Sequence, residues 1–138
     1  MTVYGFGVQL NTSGSRVWMV GLPPGLDVLN ANQRLHWRKK APITRELRQA
    51  AALLARQARI PTLARAHIVG EYRPPDRRRR DVANLYPSFK AAIDGLVDAA
   101  VLEDDDDTHL VGPDMRLGPI VAGGQLVLHI AELPEVVA

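Results

Sequence analysis

The chain contains no cysteine. Disulfide staples and thiolate–metal sites are therefore excluded, which fits a reducing cytoplasm. Aromatic residues make up only 5% of its 138 positions. No apolar run approaches the roughly 20 residues that a membrane helix needs, so no membrane partner is expected. The opening "MTVYGFGVQLNTSGS" has neither a basic start nor a long apolar stretch, so no signal peptide is expected. Walker A, G-x-G-x-x-G and G-x-S-x-G sequences are all missing. This argues against a P-loop NTPase, a dinucleotide enzyme or a serine hydrolase of the usual kinds. His36, His67, His109 and His129 do not fall at a ligand spacing such as H-x₃₋₅-H. What remains is a soluble, cytoplasmic, single-domain protein over residues 1–138, its motif-bearing part running from about 17 to 133. The 46% hydrophobic content is enough for a core.

Charge is abundant but unevenly placed. From Arg34 to Arg80 there are 14 Lys/Arg against 3 Asp/Glu, a balance of +11. From Asp81 to Ala138 there are 2 against 11, or −9. Such a split predicts a basic surface for a polyanion and a separate acidic cluster. Two unrelated solvated faces are the plainer explanation. The extremes lie about one helix apart, in "RPPDRRRRDVANLYPSFKAAIDGLVDAAVLEDDDD".

Periodicity gives an α+β (mixed α/β) domain with helices packed on a sheet. Val3–Leu10 reads as a hairpin arm, "NTSGS" as its turn and Ser15–Leu22 as a strand. Leu29–Lys40 reads as a basic loop. Pro42–Arg59 reads as a helix with Leu47, Ala51, Leu54 and Ala58 as its apolar stripe. Arg45, Arg48, Arg56 and Arg59 fall within about 60° of one another on the other side. Ala64–Tyr72 is a strand closed by Pro74 and Pro75. A second helix runs from about Ser88 to Ala100, with Phe89, Ile93, Leu96 and Ala100 facing inward. His109–Leu117 and Gln125–Leu133 are late strands joined by "GPIVAGG". His67 and His129 read as ordinary sheet residues.

The acids point to hard-cation chemistry. Mg²⁺ takes oxygen ligands, usually one or two carboxylates with water and substrate phosphate completing the shell. Such an ion polarises a phosphodiester and generates hydroxide near neutral pH. Asp81, after a strand, and Asp104 and Asp105, after a helix, are the candidate ligands if the chain folds back. Asn84 is a candidate oxygen donor or a turn cap. Asp106 and Asp107 are expected to face solvent. An isolated "EDDDDT" is most often a solvated helix exit or the start of a turn.

Arg77, Arg78, Arg79 and Arg80 would alternate faces if they continued a strand, two of them meeting phosphates. They also suit a charged sheet edge. Lys90 faces the same side as Asp94 and Asp98, as an i, i+4 ion pair or as a lysine aimed at a scissile phosphate. His36, beside Trp37 and Arg38, is a nucleic-acid contact candidate. His109 lies near the acids.

In order, "PPDRRRRD", "N", "KAAIDGLVDA" and "LEDDD" resemble the RusA family of Holliday junction resolvases. "LPPGLDVLNANQRLHWR" resembles that family's amino-terminal pattern, and the likeness covers roughly Gly21 to Val111. The resemblance implies a homodimeric phage- or prophage-type endonuclease that nicks opposed strands of a four-way DNA junction with Mg²⁺ or Mn²⁺. It assigns catalysis to Asp81, Lys90, Asp104 and Asp105, and metal binding to Asp81, Asp104, Asp105 and secondarily Asn84. DNA would lie along Arg77–Arg80, Arg34, His36, Arg38, Lys39, Lys40, Arg45 and Arg48. The family's D-x-D-N reads "DVAN" here, so Ala83 stands where a second carboxylate is expected. Extra residues around "LYPS" also separate Asn84 from Lys90. Two further readings share the fold: a branched-DNA or flap endonuclease, and a junction-binding protein that cuts weakly or not at all.

Overall fold

A computed structural model describes residues 2–4 and 8–10 as backbone and residues 16–135 in full. Thr2–Tyr4 (β1) and Val8–Leu10 (β2) pair antiparallel, with Thr2 opposite Leu10. The expected hairpin between 3–10 and 15–22 is therefore replaced by one inside residues 2–10; the turn read at residues 11–15 lies outside the described residues. Val17–Gly21 (β3) instead joins a four-stranded mixed sheet with Arg65–Arg73 (β4), Leu110–Leu117 (β5) and Gln125–Leu133 (β6). Its order is β3-β6-β4-β5, antiparallel except for the β4–β5 pair. Together with two helices this makes one small α+β domain.

Trp37–Gln57 forms α1, which begins five residues before the expected Pro42. His36 caps it, its Nδ1 accepting the Arg38 N–H at 3.2 Å. Pro42 lies inside the helix and removes one N–H from the ladder. Tyr86–Asp98 forms α2, with Pro87 in its first turn, where a missing N–H costs nothing.

Both helices stop in the same way. Arg59 (φ 54°) and Ala100 (φ 60°) turn left-handed, and the next residue donates back across the last turn, Ile60 to the Ala55 carbonyl and Val101 to that of Leu96. Ile60 and Val101 are buried beneath those turns. Glycine normally fills that position, so a sequence with arginine and alanine there hides the helix ends.

The helices cover one sheet face. Leu47, Ala51 and Ala55 of α1 and Phe89, Ile93 and Leu96 of α2 pack on Ile68, Leu128 and Ile130. Leu54 is only partly buried and Ala58 is exposed, so the α1 stripe is rotated toward Ala52 and Ala55 from the one expected. Gly95 sets the distance between the helices: a Cβ there would lie 2.2 Å from the Arg48 carbonyl oxygen. The opposite face carries polar pairs that sequence reading took for ordinary sheet residues. Buried His129 meets buried Glu71 at 2.8 Å, Arg73 reaches Glu71 at 3.1 Å, and His67 meets Asp114 at 2.7 Å. Among the described residues no helix is long and apolar enough to cross a membrane.

Two substitutions, one inside α2 and one just past its end, should act in opposite senses. Gly95→Ala should destabilise by about 1–3 kcal/mol through overpacking, despite alanine's better helix propensity. Ala100→Gly should stabilise by about 0.5–1 kcal/mol by relieving the left-handed alanine. Urea midpoints report both, and a Gly95→Ala protein as stable as the parent would refute the close helix contact.

Candidate active site and nucleic-acid interface

The arginine run does not continue β4. That strand ends at Arg73, and residues 74–81 form a loop. Asp76 organises the loop: its carboxylate accepts the Arg78 N–H at 2.9 Å and pairs with Arg80 at 2.8 Å. Arg80 also donates to the Asp76 and Arg78 carbonyls, each at 3.0 Å. The Arg78 N–H and then the Arg80 guanidinium hold the Asp76 carboxyl below its ordinary value. Arg80 is therefore a strut of the loop, whereas Arg77, Arg78 and Arg79 project into solvent. Alternation of the four arginines across a strand, the sequence expectation, is replaced by this knot.

Asp81 caps the 3₁₀ turn Val82–Leu85, accepting the Ala83 N–H at 3.0 Å. Ala83 is exposed. Asp81 and Asn84 line a hollow of about 270 Å³ with Asn30, Gln33, Arg79 and Arg80. The segment carrying Asn30 is fastened there by two links. The Ala31 N–H donates to the Asn84 carbonyl at 2.7 Å, and buried Ser88 bonds both the N–H and the carbonyl of Leu29. Asn30, Gln33, Ser88 and Asp76 are contributors that sequence reading missed. Nothing local to Asn30 or Ser88 shows that their segments meet across more than 50 positions.

The second centre lies on α2. The Lys90 ammonium meets Asp94 at 2.6 Å and also hydrogen-bonds Asp105. The expected local pair with Asp94 is thus joined by a contact to Asp105 that the sequence did not announce. Asp104 sets the loop by accepting the Asp105 N–H at 2.7 Å. Burial works to lower the Lys90 pKa, but the bonds to Asp105 and Asp94 outweigh it and the net direction is up. The Asp105 carboxyl is held below its ordinary value, first by the bond from Lys90.

Asp106 and Asp107 are exposed, as expected. Asp106 is nevertheless engaged, bonding Thr108 Oγ1 and His109 Nδ1, each at 2.6 Å. That bond to Asp106 raises the His109 pKa.

The two centres flank α2. Arg79, Arg80 and Asp81 border the carboxyl end of β5, beside Met115 and Arg116, whereas Asp104 and Asp105 precede that strand. Among the described residues, no three Asp, Glu or His side chains converge as a complete metal cage. Fold-back thus brings Asp105 to Lys90, while Asp81 stays with Asn84 on the arginine side. The donor chemistry still fits a hard cation of the Mg²⁺ class. Each centre offers oxygen donors only, with one or two carboxylates, and such ions draw their remaining ligands from water and phosphate.

The basic tract divides as well. Arg34, Arg38, Lys39, Lys40 and Arg45 are exposed. Arg48 is committed to Asp98 through bonds of 2.6 and 2.8 Å, and Arg56 donates to the Asp98 carbonyl at 3.0 Å. This bond to Asp98 raises the Arg48 pKa, and the same bond from Arg48 lowers that of Asp98. Arg48 and Arg56 are first of all a brace between α1 and α2.

No family model matches the chain. It is 27% identical over 112 residues to an uncharacterized protein of Xylella fastidiosa, an overlap covering 78% of this chain and 71% of the relative.

The Lys90 clasp has a signature in acid. A carboxyl whose folded-state pKa is lowered stabilises the fold above its unfolded value and loses that contribution as pH falls through the folded one. By carbon-13 NMR, the Asp105 carboxyl should titrate below the ordinary 3.8 and move upward in Lys90→Met. An Asp105 midpoint unmoved by Lys90→Met would show that the clasp does not form in solution.

Proposed function

We propose that this protein is a metal-dependent endonuclease for branched DNA, with the four-way junction as its substrate and a two-fold homodimer as its working form. The reading begins from the resemblance to the RusA resolvases. The observation that carries it is that the lysine of that motif series lies against Asp94 and Asp105, with Asp104 setting the loop. The exposed Arg77, Arg78 and Arg79 lie in the loop that leads into α2 and hold the DNA backbone by salt-sensitive phosphate contacts. Two identical sites related by a two-fold axis match the symmetry of two opposed nicks.

The roles follow from chemistry. Asp104 and Asp105 on one side, and Asp81 with Asn84 on the other, are the groups that would hold Mg²⁺ or Mn²⁺. Such an ion, when bound, supplies a Lewis acid and an activated water. Lys90 keeps two carboxylates close without mutual repulsion, and its cationic head stabilises negative charge developing on the phosphoryl oxygens. Asp76 and Arg80 fix the loop so that Arg77–Arg79 meet DNA on a rigid support.

Junction binding without cutting is the second reading. It is favoured by exposed Ala83 in place of a carboxylate and by the lack of a three-acid convergence among the described residues. A flap or branched-DNA nuclease would use the same residues and differ only in substrate.

A nicking assay separates the three. Parent, Asp81→Asn, Asp105→Asn and Lys90→Ala proteins are given a four-way junction, a flap and a linear duplex with Mg²⁺, Mn²⁺ or EDTA. The proposal expects paired nicks in the junction that EDTA abolishes. It also expects each substitution to slow them by about 100-fold or more. Tight junction binding with no nick in either metal would replace it by the binding reading. Flap cleavage with an intact junction would reassign the substrate.

A further inference from the structure

We infer that Trp37 is a stacking platform for an unpaired nucleobase, so that the protein favours DNA with splayed or single-stranded bases over fully paired duplex. The inference rests on the DNA-binding reading above and adds the feature of the DNA that is recognised.

Trp37 is 66% exposed, the most exposed of the large apolar side chains among the described residues. In a chain with so few aromatics this is conspicuous. Phe89 is fully buried and Tyr72 nearly so. The indole stands at the first position of α1, where the His36 cap fixes the backbone. The His36 ring lies 5.6 Å away, tilted by 34°, and the Arg38 guanidinium lies 5.5 Å from the indole centre. These neighbours steady the ring without burying it.

The setting is cationic. Trp37 borders a hollow of about 430 Å³ with Lys40, Thr44, Arg45 and Arg48. That volume is in the range of small-ligand sites and admits a single base. From Arg34 to Arg45 the sequence holds no Asp or Glu. Arg34, Arg38, Lys39, Lys40 and Arg45 are all exposed. A polyphosphate backbone suits such a tract, and an exposed aromatic within it adds a flat π surface.

Interleaved cations and aromatics bind single strands because every base has a face to stack. In paired duplex both faces of each base are already covered by neighbours. A branch point supplies bases that are free to unstack. A protein partner would find a charged rim here and only one apolar ring, a poor match for the apolar centre of a typical interface.

The test uses binding without divalent cation, so that nothing is cut. Parent, Trp37→Ala and Trp37→Phe proteins are titrated by fluorescence anisotropy against an oligo-dT strand and a duplex of equal length. Circular dichroism checks that all three are folded. Trp37→Ala should lose about tenfold on the single strand and under about twofold on the duplex, while Trp37→Phe keeps most of the affinity. The salt dependence should not change, because no phosphate contact is removed. Equal affinity of parent and Trp37→Ala for the single strand, or the same loss on both DNAs, overturns the stacking role and leaves the nuclease reading standing. A parent protein that binds neither DNA also overturns the stacking role, and titration of a four-way junction then shows whether the DNA-binding reading falls with it.

Discussion

The passage of the chain from β4 to β5 constrains everything around it. These strands are neighbours and run parallel, so the connection must cross the sheet from the end of one to the start of the other. The 13 residues of α2, about 20 Å of helix, make that crossing. The loop before the helix and the loop after it are thereby sent to opposite ends of the sheet. The arginines occupy the first loop and the aspartates the second. The closeness of the two charge runs in sequence is the length of a crossover helix. Only the return of Asp105 to Lys90 shortens the separation.

Several cations turn out to be structural. Arg80 knots its loop to Asp76, Arg48 braces α1 to Asp98 of α2, and Lys90 draws in Asp94 and Asp105. Exposed ion pairs of this kind contribute little to stability singly. Their effect is to fix where the remaining charges stand. The exposed cations from Arg34 to Arg45 and from Arg77 to Arg79, of which Arg78 still pairs with Asp76 at 3.3 Å, form two separate basic stretches, along which the proposed DNA backbone would lie.

The sequence was legible where period and composition agree. Phe89, Ile93 and Leu96 announced α2, and the apolar β4 and β6 were placed nearly to the residue. The α+β class followed from their order. Misreadings share a physical cause, namely interactions between distant positions. Val17–Gly21 pairs with β6, more than 100 residues away, so the local turn chemistry of "NTSGS" named the wrong partner. The helical start at Trp37 was hidden because His36 is an unusual cap and Pro42 looked like a first-turn residue. Four arginines in a row resembled a strand edge, since nothing local shows that Asp76 will fold them into a loop. Of the site, the i, i+4 pair of Lys90 with Asp94 was legible, whereas the contact of Lys90 with Asp105, fifteen positions on, was not. The separation of Asp81 from them depends on crossover geometry that spacing does not encode.

The central claim is that the acids around Lys90 form a divalent-cation site and not merely an ion-pair cluster. Nitrogen-15 NMR with substoichiometric Mn²⁺ tests it directly, because the paramagnetic ion broadens only nearby amides. The account predicts selective broadening at Asp104 and Asp105 and on the Asp94 turn of α2, lost in Asp105→Asn. Weak, even broadening along the whole 103–107 tract, unchanged by that substitution, would contradict it and leave Lys90 as an ordinary surface ion pair.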